Sequence, residues 1–139
     1  MARMQKILHE ELSRKVIGTA MDVLNELKPG LDEKLYERAL VVGLRMAGHT
    51  VDAQKMFPVN YRGELIGNLT PDIIVDGAII VDPKVVTVFS ETHVSQMIGY
   101  LAISGLELAI LLNFKNARLE WKRVIRDREE QPIVPDLHA

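Results

Sequence analysis

The chain has 139 residues and no cysteine; 47% of its residues are hydrophobic, 26% are charged, and the formal net charge is -2. These values fit one domain around a single hydrophobic core, and they exclude a disordered or fibrous chain, a disulfide scaffold and a thiolate zinc site. The N-terminal sequence contains no uninterrupted apolar stretch, so we expect neither a signal peptide nor a membrane span, and a cytoplasmic location is the default that remains.

Two helices are predicted at the start of the chain. Apolar residues at helical spacing predict the first over residues 5–27, and Lys28-Pro29-Gly30 should end it because proline breaks the hydrogen-bond ladder. The second helix is predicted over residues 32–47, before Gly48. Its apolar residues on one face are Leu35, Ala39, Val42 and Met46.

The period then changes to that of strands. Strands are predicted over residues 56–61, 64–69, 73–75 and 78–81, with turns at Arg62-Gly63 and Asp76-Gly77. A third helix follows over residues 91–104, then strands over 106–112 and 118–125. The third helix allows a right-handed crossover that makes the flanking strands parallel. We therefore predict an α/β domain with a mixed sheet over residues 1–128, and a loose tail over 129–139.

The segment TPDIIVDGAIIVDPK, residues 70–84, is an apolar hairpin that carries Asp72 near its start and Asp82 and Lys84 at its end. A two-residue turn at Asp76-Gly77 would put the two aspartates on opposite faces of the sheet, because side chains alternate. A three-residue loop formed by residues 75–77 would place Asp72 opposite Ile80, with Asp82 as its diagonal neighbour on the same face. The sequence permits both loops, and only one with an odd number of residues brings the charges together.

Two carboxylates on one sheet face can share a magnesium ion, which takes oxygen ligands and needs only one or two carboxylates besides a substrate phosphate. Lys84 could then meet the phosphate or the attacking water. The simpler interpretation is that Asp72 caps a turn, Asp82 ends a strand and Lys84 is solvated. Spacing alone favours the simpler interpretation.

Basic residues also cluster near the end of the chain. They are Lys115, Arg118, Lys122, Arg123, Arg126 and Arg128. Such a stripe could follow a phosphate backbone, but the favoured interpretation is the solvated face of a surface strand. Trp121 in this segment is expected to pack on the sheet and not to stack on a base.

Several short motifs resemble a nuclease family. Pro71-Asp72 and Asp82-Pro83-Lys84 resemble the PD-(D/E)XK nuclease signature, and residues 30–36 fit the G-x-x-E-x-x-Y element of the GxxExxY family, a bacterial and archaeal group within that superfamily. The similarity runs from the first helix to about Val124, and it includes the segments LLNF at 111–114 and RLEWKR at 118–123. It implies a restriction-endonuclease-like fold, with a mixed sheet flanked by helices.

The resemblance also implies roles for individual residues. Asp72 and Asp82 match the motif acids that bind Mg²⁺ or Mn²⁺, and Lys84 matches the lysine that assists the attacking water. Glu33 resembles a helix glutamate that completes the metal site, although a helix N-terminus favours an acidic residue in any case. Gln96 and Tyr100 resemble the Q-x-x-x-Y element of recombination-type exonucleases, and they equally fit a polar helix face.

Two functions follow from these assignments. The first is a metal-dependent endo- or exodeoxyribonuclease that hydrolyses phosphodiester bonds of DNA. The second is a catalytically degenerate nuclease-fold module that binds nucleic acid or protein without cleavage, since relatives usually carry glutamate at position 82 and a residue other than proline at position 83. Pro83 should lie where no ladder hydrogen bond is needed. We also expect a homodimer, because two-fold dimers are the commonest soluble oligomers.

Overall fold

The fold is a mixed five-stranded sheet with helices on both faces, described here for residues 7–126 of a computed structural model. The helices are α1 (Glu10–Leu27), α2 (Glu33–Met46) and α3 (Glu91–Ser104). The strands are β1 (Val51–Asp52), β2 (Phe57–Tyr61), β3 (Glu64–Leu69), β4 (Ile73–Val75), β5 (Ile79–Lys84), β6 (Leu108–Asn113) and β7 (Glu120–Ile125). The sheet order is β1-β4-β5-β6-β7, and β2 and β3 form a separate ribbon. The predicted α/β class and mixed sheet are confirmed.

Helices α1 and α2 cover one face of the sheet and enclose the larger core. The buried side of α1 presents Val16, Ala20 and Leu24, as its apolar spacing predicts. They pack with alternate residues of the central strands, which are odd-numbered in β5, such as Ile79, and even-numbered in β6, such as Ile110. Because side chains alternate along a strand, the residues between them face the other way.

Helix α3 covers the opposite face with a smaller core of Met97 and Leu101 on Ile74, Ile80 and Leu111. This helix has the bounds that the sequence predicts. Its crossover connects β5 to β6, and these strands are parallel, as expected. A serine and a histidine cap the helix reciprocally, which satisfies backbone groups at its start.

Strands β4 and β5 are joined by a turn that carries one extra residue. Asp76 and Gly77 both have positive φ, and Ala78 N donates to Val75 O over 2.9 Å. Val75 nevertheless pairs with Ile79, so the loop spans residues 76–78 and is odd in number. Of the two loops that the sequence permits, the structure has the odd-numbered one, and it lies one residue later than the loop considered at 75–77.

The predicted helix and strand ends need several corrections. Helix α1 begins at Glu10, not at residue 5, because His9 has a φ of 51° and cannot continue the helix; residues 1–6 lie outside the described residues. Strand β5 extends to Lys84 beyond the predicted end at residue 81, and β6 and β7 begin two residues later than predicted. The short strand β1 was not predicted, since two residues carry no period.

The buried face of α2 also differs from the apolar set singled out in the sequence. Leu35 is exposed, as are Val42 (57%) and Met46 (83%). The core is instead filled by Tyr36, Leu40 and Leu44. This helix carries two apolar stripes. The stripe that contains Tyr36 is the buried one, because the tyrosine ring stacks on Phe114 in the core. Hydrophobic spacing alone could not choose between them.

The basic stripe needs a correction as well. Arg123 is buried, with 6% exposure, and it faces α1 from the interior side of β7. Lys115, Arg118 and Arg126 are exposed, as the solvated-face interpretation expects. Arg128 and the predicted tail over 129–139 lie outside the described residues. None of the helices within residues 7–126 combines the length and apolar character needed to cross a membrane.

Candidate active site

The hairpin turn decides which side chains meet at the end of β5. Ile73 pairs with Val81, and extending this register by one residue places Asp72 opposite Asp82. Directly opposed residues of an antiparallel pair have Cβ atoms about 4.5–5.5 Å apart. Both aspartates therefore lie on the face covered by α3. Lys84 joins them there, because it is two residues beyond Asp82 on the same strand.

Asp82 is the most deeply buried of these charged groups, with 3% exposure. Its Oδ1 lies 3.2 Å from Lys84 Nζ. The contact is an ion pair whose direction falls outside hydrogen-bond geometry, so Oδ1 has no hydrogen-bond partner. Burial, reinforced by the negative charge of Asp72, raises the pKa of Asp82 to about 7.

Asp72 is partly buried in the bend that precedes β4. Burial raises the pKa of its carboxyl group above the ordinary value, and the positive charge of Lys84 opposes this shift. Two carboxyl groups beside one lysine carry an excess of negative charge when both are ionised. The arrangement is therefore short of positive charge at neutral and alkaline pH.

Pro83 occupies a strand position that requires no donor. It pairs with Leu112 of β6, and the next residue, Lys84, accepts a hydrogen bond on that side from Phe114 N over 2.9 Å. Because backbone groups of successive residues point to opposite sides, the Pro83 nitrogen faces the side of β4. Strand β4 has ended there, since its pairing stops at Val81. The expectation for Pro83 is met.

Glu33 reaches the same region from the first residue of α2. After burial, its negative charge is among the causes that raise the pKa values of Asp72 and Asp82. The neighbouring Lys34 has the opposite effect on Asp72, and its position in the site was not predicted. Its only sequence signal is that it follows Glu33.

The other two residues of the G-x-x-E-x-x-Y element have structural roles. Gly30 adopts a φ of 112°, which suits the turn between the helices. Tyr36 is fully buried and stacks on Phe114, with ring centroids 4.8 Å apart. Its hydroxyl donates to Lys28 O over 2.6 Å and accepts from Leu31 N over 3.1 Å. The tyrosine thereby fixes the start of α2, where Glu33 lies.

Gln96 and Tyr100 approach from α3 as a hydrogen-bonded pair. Gln96 Nε2 donates to Tyr100 Oη over 3.0 Å, as their four-residue spacing allows. Burial raises the pKa of Tyr100, and the charges of Asp82 and Asp72 raise it further. The tyrosine therefore lies within electrostatic range of both carboxylates, and Gln96 is hydrogen-bonded to the tyrosine.

Asn113 positions the segment that follows β5, a role the sequence did not indicate. Its Nδ2 donates to Val86 O over 2.8 Å and its Oδ1 accepts from Val86 N over 3.1 Å. Nδ2 also contacts Glu120 Oε1 at 3.2 Å. This buried amide connects the end of β6 to the backbone just beyond Lys84. It therefore helps to position the backbone from which the Lys84 side chain extends.

The carboxylates fit a hard divalent cation in their chemistry. Asp72 and Asp82 offer oxygen ligands, and the buried Asp82 Oδ1 lacks a hydrogen-bond partner. No group of three or more histidine, cysteine, aspartate or glutamate side chains close enough to hold a metal occurs within residues 7–126. Two aspartates are sufficient for magnesium when water and phosphate supply the other ligands.

Most of the chain matches a known protein family. A family model described as the PD-(D/E)XK nuclease superfamily matches residues 10–124, which cover all three helices and nearly the whole sheet. Searches of curated proteins and of solved structures gave no match. Nucleases of this superfamily typically use divalent metals. The extent of the match shows that the chain belongs to the PD-(D/E)XK nuclease superfamily.

Proposed function

We propose that this protein is a divalent-metal-dependent nuclease that hydrolyses phosphodiester bonds of DNA. The observation that carries the proposal is the meeting of Asp72, Asp82 and Lys84 on one face of the sheet, in a chain of this superfamily. A two-residue turn would have separated the aspartates. The extra residue in the loop is thus the feature that allows them to act together.

Asp72 and Asp82 would hold Mg²⁺ or Mn²⁺, with Glu33 as a further acidic group nearby. When bound, the metal would supply a Lewis acid for the phosphoryl group and lower the pKa of a bound water. Lys84 holds its ammonium group 3.2 Å from Asp82, where it can orient a water and stabilise charge on the phosphate. Tyr100, supported by Gln96, provides a hydroxyl at the same cleft.

The test is DNA cleavage with Asp72→Ala, with Asp22→Ala as the matched control. Asp22 is an exposed carboxylate on α1 with no part in the cleft. We expect wild type and Asp22→Ala to cut single- or double-stranded DNA with Mg²⁺ or Mn²⁺ and to stop with EDTA. Asp72→Ala should lose at least about 100-fold in rate, as expected for removal of one electrostatic group from an active site. Equal rates in all three proteins would indicate a contaminating nuclease.

A binding module without cleavage is the second candidate function. It is favoured by the absence of a three-ligand group within residues 7–126 and by the short side chain of Asp82 next to Pro83. It predicts DNA or protein binding that needs no divalent ion and survives Asp82→Ala. Calorimetry decides between the two, because stoichiometric Mn²⁺ binding that disappears in Asp82→Ala supports the nuclease.

Within the superfamily we place the chain in the GxxExxY family and propose that it forms a homodimer. The family assignment is supported by the separate roles of Gly30, Glu33 and Tyr36. The dimer is supported by the apolar stripe of Leu35, Val42 and Met46, which α2 leaves exposed. Light scattering at high micromolar concentration should give twice the monomer mass, and Val42→Glu should restore the monomer. A monomer mass for wild type would refute the dimer.

A further inference from the structure

A second polar cluster lies on the opposite face of the sheet, between α1 and β7. It borders a pocket of about 430 Å³ whose apolar walls include Ile7, Ile17, Met21 and Trp121. Ser13 and Arg123 are the buried polar side chains in its lining. The pocket is separated from the aspartates by the sheet itself, so the proposed nuclease function does not account for it.

The buried polar atoms of this cluster lack partners. Arg123 donates through Nη2 to Leu8 O, while its Nε and Nη1 have no hydrogen-bond partner. The Trp121 indole Nε1 and the Ser13 hydroxyl are also buried without one. Unpaired buried donors are costly, and a buried unpaired cation more so. Four buried polar atoms beside one pocket thus have no hydrogen-bond partner, and three of them are nitrogen donors that need an acceptor.

The unpaired set consists of donors, apart from the hydroxyl, which can also accept. Its charge is positive, since arginine remains protonated in proteins. Glu10 lies at the same pocket, but its carboxylate is 2.8 Å from Arg14 and is engaged by that residue. A guanidinium matches the planar geometry of a carboxylate, and the aliphatic and aromatic walls suit an apolar body.

We propose that this pocket binds a monocarboxylate with an apolar body, whose carboxylate pairs with Arg123 and Trp121. The unpaired nitrogens are covered from water in the free protein, so entry requires a side-chain movement at the pocket wall. Met21 lines the pocket, is 39% exposed and has a flexible unbranched side chain that permits such a movement. The ligand thereby supplies the acceptor that the folded chain lacks.

Trp121 is the only tryptophan in the chain, so its fluorescence reports directly on this pocket. The probe is hexanoate, with 1-hexanol as the uncharged analogue and acetate as the anion without a tail. We expect a saturable change with hexanoate and at least about tenfold weaker binding of both controls, because a hydrogen bond to a charged group and apolar burial each contribute. Equal affinity for hexanol would overturn the proposal and leave an apolar cavity only.

Arg123→Met removes the charge at similar length, and Arg126→Met is the matched control on an exposed arginine three residues later. Hexanoate affinity should fall at least about tenfold in the first variant and stay unchanged in the second. If Arg123→Met fails to fold, the single indole N–H resonance of ¹⁵N-labelled wild type gives the answer. It should shift downfield with hexanoate and not with hexanol. No saturable fluorescence change, or an indole signal that stays unmoved at high hexanoate, would overturn the site.

Discussion

The two faces of the sheet differ in what they bury. The face under α1 and α2 holds the larger apolar core, including the stacked pair of Tyr36 and Phe114. The face under α3 has a smaller apolar core and, at the end of β5, two carboxyl groups beside one lysine. The same strand serves both faces, since Val81 points into the large core and Asp82 into the cleft.

This difference teaches that the larger apolar core and the candidate site lie on opposite sides of one strand. The large face stabilises the fold by burying apolar surface. The small face retains charged groups in a partly dry cleft, an arrangement that costs stability. Removing a core aromatic ring and neutralising a cleft carboxylate should therefore change stability in opposite directions, and the following predictions test this comparison from the largest effect to the smallest.

The largest effect is expected for Tyr36→Ala on the large face. The substitution removes a fully buried ring, its stack on Phe114 and two hydrogen bonds of its hydroxyl. We expect a loss of about 3–5 kcal/mol in the free energy of unfolding, measured by urea denaturation. Tyr61→Ala is the matched control, since Tyr61 is 61% exposed. Equal losses in both variants would contradict the comparison.

Asp82→Asn on the small face should have the opposite sign. The folded-state pKa of Asp82 is raised from 3.8 to about 7, so the folded chain binds the extra proton and wild-type stability falls as pH rises through this window. Without divalent metal, Asp82→Asn should be more stable than wild type by roughly 1–3 kcal/mol at pH 8, the usual cost of a buried polar group without a full set of partners. The gain should vanish near pH 4. If Asp82→Asn is less stable than wild type at pH 8 while Asp22→Asn is unchanged, the ionised Asp82 carboxylate does not destabilise the folded chain.

Asn113→Ala should have an intermediate effect because Asn113 holds the segment that follows β5 against the end of β6. The substitution leaves Val86 N and Val86 O without their partner. We expect a loss of about 1–2 kcal/mol in unfolding free energy. Asn116→Ala, at an exposed position of the following loop, should be neutral. A neutral Asn113→Ala would mean that the segment after β5 is held by other contacts.

Tyr100→Phe should have the smallest effect on stability and a clear effect on activity. The hydroxyl makes one exposed hydrogen bond with Gln96, so the change in unfolding free energy should stay within about 0.5 kcal/mol. The rate of DNA cleavage should fall, whereas Tyr61→Phe on the β2–β3 ribbon should cleave like wild type. An unchanged rate in Tyr100→Phe would remove the tyrosine from the site.

The sequence predicted those features that depend on local patterns. The period of apolar residues predicts α3 to the residue, and the alternation in strands restricts the hairpin to two parities. The candidate site residues were proposed because a motif resemblance groups them, although spacing alone favoured a solvated lysine. The observed loop is also held by a residue outside the hairpin, since Asp76 Oδ1 accepts a hydrogen bond from Thr50 N over 2.8 Å.

Features that depend on distant contacts could not be predicted. The choice of the Tyr36 stripe on α2 rests on Phe114, which is far away in sequence. The burial of Arg123 depends on the segment just before α1 lying over β7, because its partner is Leu8 O. In a local pattern, a single arginine within a basic stripe looks the same whether it faces solvent or a helix.

The central claim is that the carboxylate at position 82 supports metal-dependent cleavage. It is tested most directly by the rate of DNA cleavage for wild type, Asp82→Glu and Asp82→Asn, each purified identically and assayed with Mn²⁺ and with EDTA. The account predicts cleavage by wild type and Asp82→Glu with Mn²⁺, a loss of at least about 100-fold for Asp82→Asn, and no cleavage with EDTA. Cleavage by Asp82→Asn at the wild-type rate, or none by wild type and Asp82→Glu, would contradict it.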